Sequence, residues 1–279
     1  MALRRLFLTS LLLASGLGCA TARNYEDPAA PVYTGGAALR REAGRTLRVV
    51  TFNLKWGKEI ERAVELLSRP GPLQGADLVV LQEMDREGTE RIGRALGLQY
   101  VYVPSAVHPV PRHDFGVALL SPWPLEAPRK LLLPHQNRTR KLRRSAAVAT
   151  LRSPVGDIRV YGVHFESPAG AWGAVRRDQA RTVIADAEGW SGPVVVAGDF
   201  NGRSGAREMA KLGYLWATED VKNTIGPFDF DHVVARGLCA RDEPAAGVAP
   251  DANDASDHKP VWAVLGRCGD MMATASGNR

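Results

Sequence analysis

Polar residues stand where apolar strands should end. Asn53 closes the run Leu47–Asn53, Glu83 follows Asp77–Gln82, His164 closes Ile158–His164, and Asp199 follows Pro193–Gly198. Asn201, Asp231, Asp257 and His258 add further groups downstream. A polar group among apolar neighbours costs free energy unless it is paired, and ligands of open α/β sheets collect outside strand ends. Several such residues able to converge on one rim therefore point to a site. The donors are oxygens from Asn53, Glu83, Asp199, Asn201, Asp231 and Asp257, and no Cys and His spacing suits zinc. Hard oxygen donors favour Mg²⁺, with Mn²⁺ or Ca²⁺ as alternatives. His164 and His258 titrate near neutrality and can carry protons. Carboxylates, a hard cation and a pair of histidines fit hydrolysis of a phosphate ester, in which the cation neutralises oxygen charge and a base activates water.

The elements that must position these residues follow from apolar periodicity. Leu47–Asn53, Asp77–Gln82 and Gln99–Val103 read as strands, separated by helices over Glu59–Ser68 and Asp85–Leu96. Short β-like runs follow at Phe115–Ser121, Arg129–Leu133, Ala146–Leu151 and Ile158–His164. Helices are predicted at Ala174–Ala187 and Ala206–Leu212, and strands at Pro193–Gly198, Phe230–Ala235 and Pro260–Leu265. Helices in each half with sheet between them predict an α/β chain in which two β-sheets pack together with helices outside. There is no repeat of fixed period.

Several short motifs, in order from Leu47 to Leu265, resemble the endonuclease/exonuclease/phosphatase superfamily of metal-dependent phosphoesterases. Thr51-Phe52-Asn53 is similar to its opening strand and Leu81-Gln82-Glu83 to its L-Q-E motif. Gly116-Val117-Ala118-Leu119-Leu120-Ser121 resembles its G-x-A-x-L-S strand, and Gly162-Val163-His164-Phe165 stands at its histidine motif. Gly198-Asp199-Phe200-Asn201 and Ser256-Asp257-His258 with Pro260 match G-D-F-N and S-D-H-x-P unaltered. The resemblance implies a four-layered α/β/β/α sandwich. It implies that Asn53, Glu83 and Asp257 hold the metal and that Asp199 and Asn201 orient water and phosphate. It also implies that Asp231 pairs with His258, while His164 serves the phosphoryl oxygens or the leaving group. The family's I-D-Y segment appears as Phe230-Asp231-His232; Asp231 is chosen over Asp229, two residues away on the same strand face. Which histidine is acid and which base stays open.

The chain has 279 residues, 45% hydrophobic and 24% charged, enough to bury a large core. Arg4 and Arg5 precede an apolar stretch from Leu6 to Ala14, much shorter than the roughly 20 residues of a membrane span. Residues 1–18 thus read as a secretory signal, and the small residues before Cys19 resemble a bacterial lipobox. The expected organisation is an acylated Cys19 with a flexible tether to residue 46, a domain over 47–268, and a tail over 269–279. This places a monomer at the bacterial cell envelope, with the lipid on Cys19 engaging the membrane. Cys239 and Cys268 then remain as an even pair in an oxidising compartment, where a bridge is expected to be open to them.

The formal charge of +6 suits anionic substrates. Arg138, Arg140, Lys141, Arg143 and Arg144 form a basic run, either a solvated loop or a contact for the phosphates of nucleic acid or phospholipid. The expected activity is nuclease-type phosphodiester hydrolysis. Phospholipid or phosphomonoester hydrolysis is the alternative, and a catalytically inactive binding lipoprotein is the reading from another class.

Overall fold

Nearly uninterrupted Val, Leu and Ala make the central strands, because those strands are covered on both faces. The computed structural model describes residues 20–38, 44–169 and 172–271. The chain fills one sheet, then a second, and returns to the first. The first receives β1 (Arg23–Asn24), β2 (Tyr33–Gly35), β3 (Leu47–Asn53), β4 (Leu78–Met84), β5 (Gln99–Val107) and β6 (Asp114–Ser121). The second receives β7 (Leu125–Gln136), β8 (Arg143–Ser153), β9 (Gly156–His164), β10 (Val194–Asp199), β11 (Leu215–Trp216) and β12 (Asp231–Arg236). Then β13 (Cys239–Ala240), β14 (Ala246–Val248) and β15 (Val261–Gly266) complete the first.

Each half contains one parallel pair joined by a helix. In the first half, α1 (Ile60–Ser68) connects β3 to β4, and α2 (Arg86–Leu96) leads on to β5. In the second, α3 (Gly173–Ala187) connects β9 to β10, followed by α4 (Arg203–Lys211). Asp85 caps α2 by accepting from the Gly88 N–H at 2.7 Å, and Gly97, at φ +64°, ends it in the left-handed region where glycine carries little penalty.

Alternation along the strands sorts side chains into layers. Val49, Val80, Val103 and Leu119 of the first sheet meet Ala147, Val160, Val195 and Val233 of the second. Val50, Phe52 and Leu81 face the other way, onto Ile60, Ala63 and Ile92 of α1 and α2. Val148, Tyr161 and Val196 pack likewise on Ala180, Val183 and Met209 of α3 and α4. The result is the α/β/β/α sandwich expected. At Gly162 the two sheets approach so closely that a Cβ would stand 2.8–3.0 Å from Leu119, Val117 and Val80.

The N-terminal segment departs from the expectation of a tether over residues 20–46. Arg23 and Asn24 pair with Val107 and Ala106 of β5, and Tyr33–Gly35 pair with Tyr102–Tyr100 of the same strand. Lys130, only 3% exposed, donates to the carbonyls of Tyr25 at 3.2 Å, Asp27 at 2.7 Å and Ala30. The physical reason is the edge of the sheet. Without this cover, β5 would present unpaired N–H and C=O groups, and backbone pairing needs no apolar period in the added segment. The signal, Cys19, residues 39–43 and the tail beyond 271 lie outside the described residues. Cys239 and Cys268 are bridged, with Cα atoms 5.0 Å apart. The antiparallel register explains it, since Cys239 faces Gly266, two residues before Cys268.

Candidate active site

The strand ends meet at one edge of the sandwich. Asn53 ends β3 opposite Gln82, His164 ends β9 opposite Asp199, and Asp231 opens β12 opposite the same Asp199. Asn53 Nδ2 donates across the sheets to Asp199 Oδ2 at 3.0 Å, tying the two halves together.

Asp199 is the centre of this arrangement and is 1% exposed. Its Oδ1 accepts from the Asn201 N–H at 2.7 Å, while Oδ2 lies 3.4 Å from His164 Nε2 and 3.8 Å from His258 Nε2. Burial pushes the carboxyl up to about 7, against the opposing pull of His258. Gly198 allows this approach: at φ +153° its Cα packs so close to the Val163 carbonyl that a Cβ would lie 1.9 Å from that oxygen. Asn201 takes φ +51°, a conformation asparagine tolerates, and anchors itself by donating to the Phe165 carbonyl at 2.9 Å.

The histidines have opposite electrostatics. His258 Nδ1 bonds to Asp231 Oδ2 at 2.9 Å, and the Thr224 hydroxyl donates to that oxygen at 2.7 Å. Burial alone would lower the His258 pKa, but the Asp231 carboxylate outweighs it and lifts the imidazole to about 10. His258 is therefore an imidazolium whose Nε2–H faces Asp199. At His164, Arg144 Nη1 stands 2.9 Å from Nδ1. A guanidinium can only donate, so Nδ1 accepts and the ring proton sits on Nε2. Burial first, then the Arg144 charge, holds this imidazole neutral, well below its ordinary pKa. Both rings thus aim an N–H at the same space beside Asp199 Oδ2.

Among the expected metal ligands, Asn53 and Glu83 meet through a side-chain contact, and Asp257 lies near enough for its charge to act on Glu83. Glu83 sits on a bulge where the β4–β6 register shifts, at φ +59°, which re-aims its side chain at the rim. Its carboxylate accepts one long hydrogen bond, 3.5 Å from Asn53 Nδ2, and burial raises its pKa despite Arg144 and His258 nearby. A carboxylate in such surroundings is short of positive charge, and a hard divalent cation meets that need. Asp257 is about half exposed and pairs with Lys55 Nζ at 3.0 Å, which holds its pKa down in spite of partial burial. Asp199, Asp231 and His258 form a second buried group, with ligand atoms within 4.8 Å of one another, which could hold a cation only if His258 gave up its proton. In it, Asp231 Oδ1 is buried without a hydrogen-bond partner.

Sequence reasoning missed Arg144 as a site residue, and with it Glu166, Thr224 and Lys55. Arg144 lies over the Phe115 ring at 5.1 Å, and its Nη2 is 3.6 Å from Glu166 Oε1. Glu166, 1% exposed, also accepts from Asn137 Nδ2 at 3.0 Å and from the Ser167 N–H at 2.9 Å. Arg144 was hidden inside a basic run; its only distinguishing mark is its place at the head of the apolar stretch Ala146–Leu151. Asp229 is not the partner of His258. It binds Arg203 at 3.3 Å, Lys222 at 3.4 Å and the Asn223 N–H at 2.9 Å. Arg140, in the loop before β8, and Arg144, in β8 itself, border a cleft of about 310 Å³, also lined by His108, Asn137, Glu166 and Ser167.

Residues 50–258 match the Endonuclease/Exonuclease/phosphatase family. No curated protein matches the sequence significantly. Among solved structures, an endonuclease/exonuclease/phosphatase from Beutenbergia cavernae superposes with a TM-score of 0.63 at 21% identity, covering 80% of this chain and 72% of that one. Sphingomyelinase C from Streptomyces griseocarneus gives 0.60 at 22%, covering 80% and 100%. A mannosyl-6-phosphatase from Bacteroides thetaiotaomicron gives 0.59 at 15%, covering 78% and 99%. At such identities these likenesses establish the shared fold, and the match over residues 50–258 establishes more: the chain belongs to the endonuclease/exonuclease/phosphatase family.

Proposed function

We propose that this chain is an exported, lipid-anchored, divalent-metal-dependent phosphodiesterase. The observation that carries the reading is the convergence of His164, Asp199 and Asp231 from strand ends, and of His258 from the segment before β15, onto one buried point. The Nε2–H groups of neutral His164 and charged His258 are placed to hold phosphoryl oxygens and to strengthen that hold as negative charge develops. Asp199, pinned through Oδ1 by Asn201 and raised by burial, is suited to orient water and take its proton. Asp231 keeps His258 charged and fixed in orientation. A divalent cation held by Glu83, Asn53 and Asp257 would neutralise phosphate oxygen charge. An inactive binding protein would have no need of this complete set, in which even the orienting partners Thr224 and Asn201 are hydrogen-bonded into place.

Nuclease-type cleavage is the first substrate class, with phospholipid or phosphomonoester hydrolysis as the second. A turnover screen with Mg²⁺ on plasmid DNA, RNA, sphingomyelin, phosphatidylglycerol and a chromogenic monoester ranks them. Glu83→Gln removes a charge from a hard-cation site while nearly keeping its shape. Calorimetric titration is expected to show Mg²⁺ affinity falling at least tenfold, with turnover falling alongside; unchanged affinity and turnover remove Glu83 from the ligand set.

A further inference from the structure

We infer that the rim of the cleft next to the active site, which Arg144 borders while it contacts His164, is a docking face for an anionic lipid bilayer. The rim is built by loops that the structure locks together. Arg140 Nη1 contacts His108 Nε2 at 3.2 Å, joining the 137–142 loop to the 108–113 loop, and Asn137 joins it to Glu166. Asn137 Oδ1 also gathers the N–H groups of Thr139 and Arg140, both at 3.0 Å, so the loop is preformed. These loops carry Arg112, Arg138, Arg140 and Lys141, and neither 108–113 nor 137–142 contains an acidic residue. Arg112, Arg138 and Lys141 are exposed.

Exposed apolar side chains lie on or next in sequence to the segments that line this cleft. Val110 is 49% exposed, and Trp172, three residues past the cleft-lining Ala169, is 76% exposed. Cations accompanied by an exposed aromatic and an aliphatic side chain match the layered chemistry of a bilayer surface, with phosphate outside and acyl chain beneath. Nucleic acid would satisfy the cations but would leave Val110 without a partner.

The N-terminal segment points to the same face. The Ala22 N–H donates to the Arg140 carbonyl at 2.7 Å, and Asn24 bonds to the Lys141 carbonyl at 2.8 Å. Cys19 precedes Ala22 by three residues in the sequence. An acyl group on Cys19 would then enter the membrane beside the cleft instead of at the end of a long tether. The inference rests on the lipid-anchored phosphodiesterase reading and deepens it: the substrate is a phosphodiester presented at a membrane surface.

The test uses the Cys19→Ser chain, which keeps the rim and loses the acyl site. Co-sedimentation with phosphatidylcholine vesicles, with and without phosphatidylglycerol, should show at least tenfold stronger binding to the anionic vesicles, weakened by salt. Arg138→Ala with Lys141→Ala, and separately Trp172→Ala, should each reduce that binding several-fold. Turnover of soluble bis-nitrophenyl phosphate should stay unchanged in both variants. Absence of preference for anionic vesicles, or binding indifferent to these substitutions, overturns the inference. So does tighter binding to duplex DNA with the same residue dependence. Loss of soluble-diester hydrolysis in the unsubstituted rim would instead bring down the phosphodiesterase reading, while vesicle binding still reported on the rim.

Discussion

Arg144 decides what His164 can do. By filling the acceptor at Nδ1 it leaves the proton on Nε2, where it faces Asp199 and the reaction space. Without that donor the ring is free to take the other tautomer or to rotate, and its N–H is lost to the site. Arg144→Met is therefore expected to lower turnover about 10²-fold, the usual cost of removing one preorganised donor, with Arg144→Lys recovering part of it. Histidine ¹⁵N spectra give the direct check. In the unsubstituted chain His164 should show a protonated Nε2 and a bare Nδ1, and Arg144→Met should change that pattern. A protonated Nδ1 in the unsubstituted chain would remove Arg144 from this role. The variant also leaves Glu166 with less compensating charge in a buried place, so Arg144→Met paired with Glu166→Gln separates folding from chemistry.

The long strands and all the helices were legible as elements because their side chains carry a period, and the strand ends exposed the candidate site for the same reason. The short strands β1, β2, β11, β13 and β14 had no such signal. They are held by backbone pairing to a neighbour already in place, which any sequence without an obstructing proline can supply. Arg144 and Glu166 were illegible for a related reason: a buried charge is recognised by its partners, and those are brought together only by the fold. Lys130 is the same case at the scale of an element. Its ammonium, desolvated enough for its pKa to fall, is what holds Tyr25 to Ala30 against β7. Lys130→Met should cost about 1–3 kcal/mol, because it leaves carbonyls short of a donor. Limited proteolysis should then cut within residues 20–38 well before the core opens. Equal cutting rates in both proteins would show that the strand pairings of β1 and β2 suffice alone.

At the scale of the molecule, the active-site edge and the disulfide lie at opposite ends of the same strands. β12 starts at Asp231 and β15 follows shortly after His258, so both run away from the site and reach Cys239 and Cys268 beyond their far ends. The bridge closes a sequence separation of 29 residues, and in between lie β14, Asp257 and His258. Constraining that stretch in the unfolded chain is worth about 3 kcal/mol by loop-closure entropy. Its removal should therefore weaken the whole domain without disturbing the site. Cys239→Ser with Cys268→Ser is expected to lower the unfolding free energy by that amount, read as a lower urea midpoint, while Mg²⁺ affinity and turnover at a temperature where both proteins are folded stay within about twofold, since distant sites without shared partners act nearly independently. Loss of metal affinity in the folded double variant would mean that the far end of β15 controls where His258 and Asp257 sit, and that site and bridge are one mechanical unit.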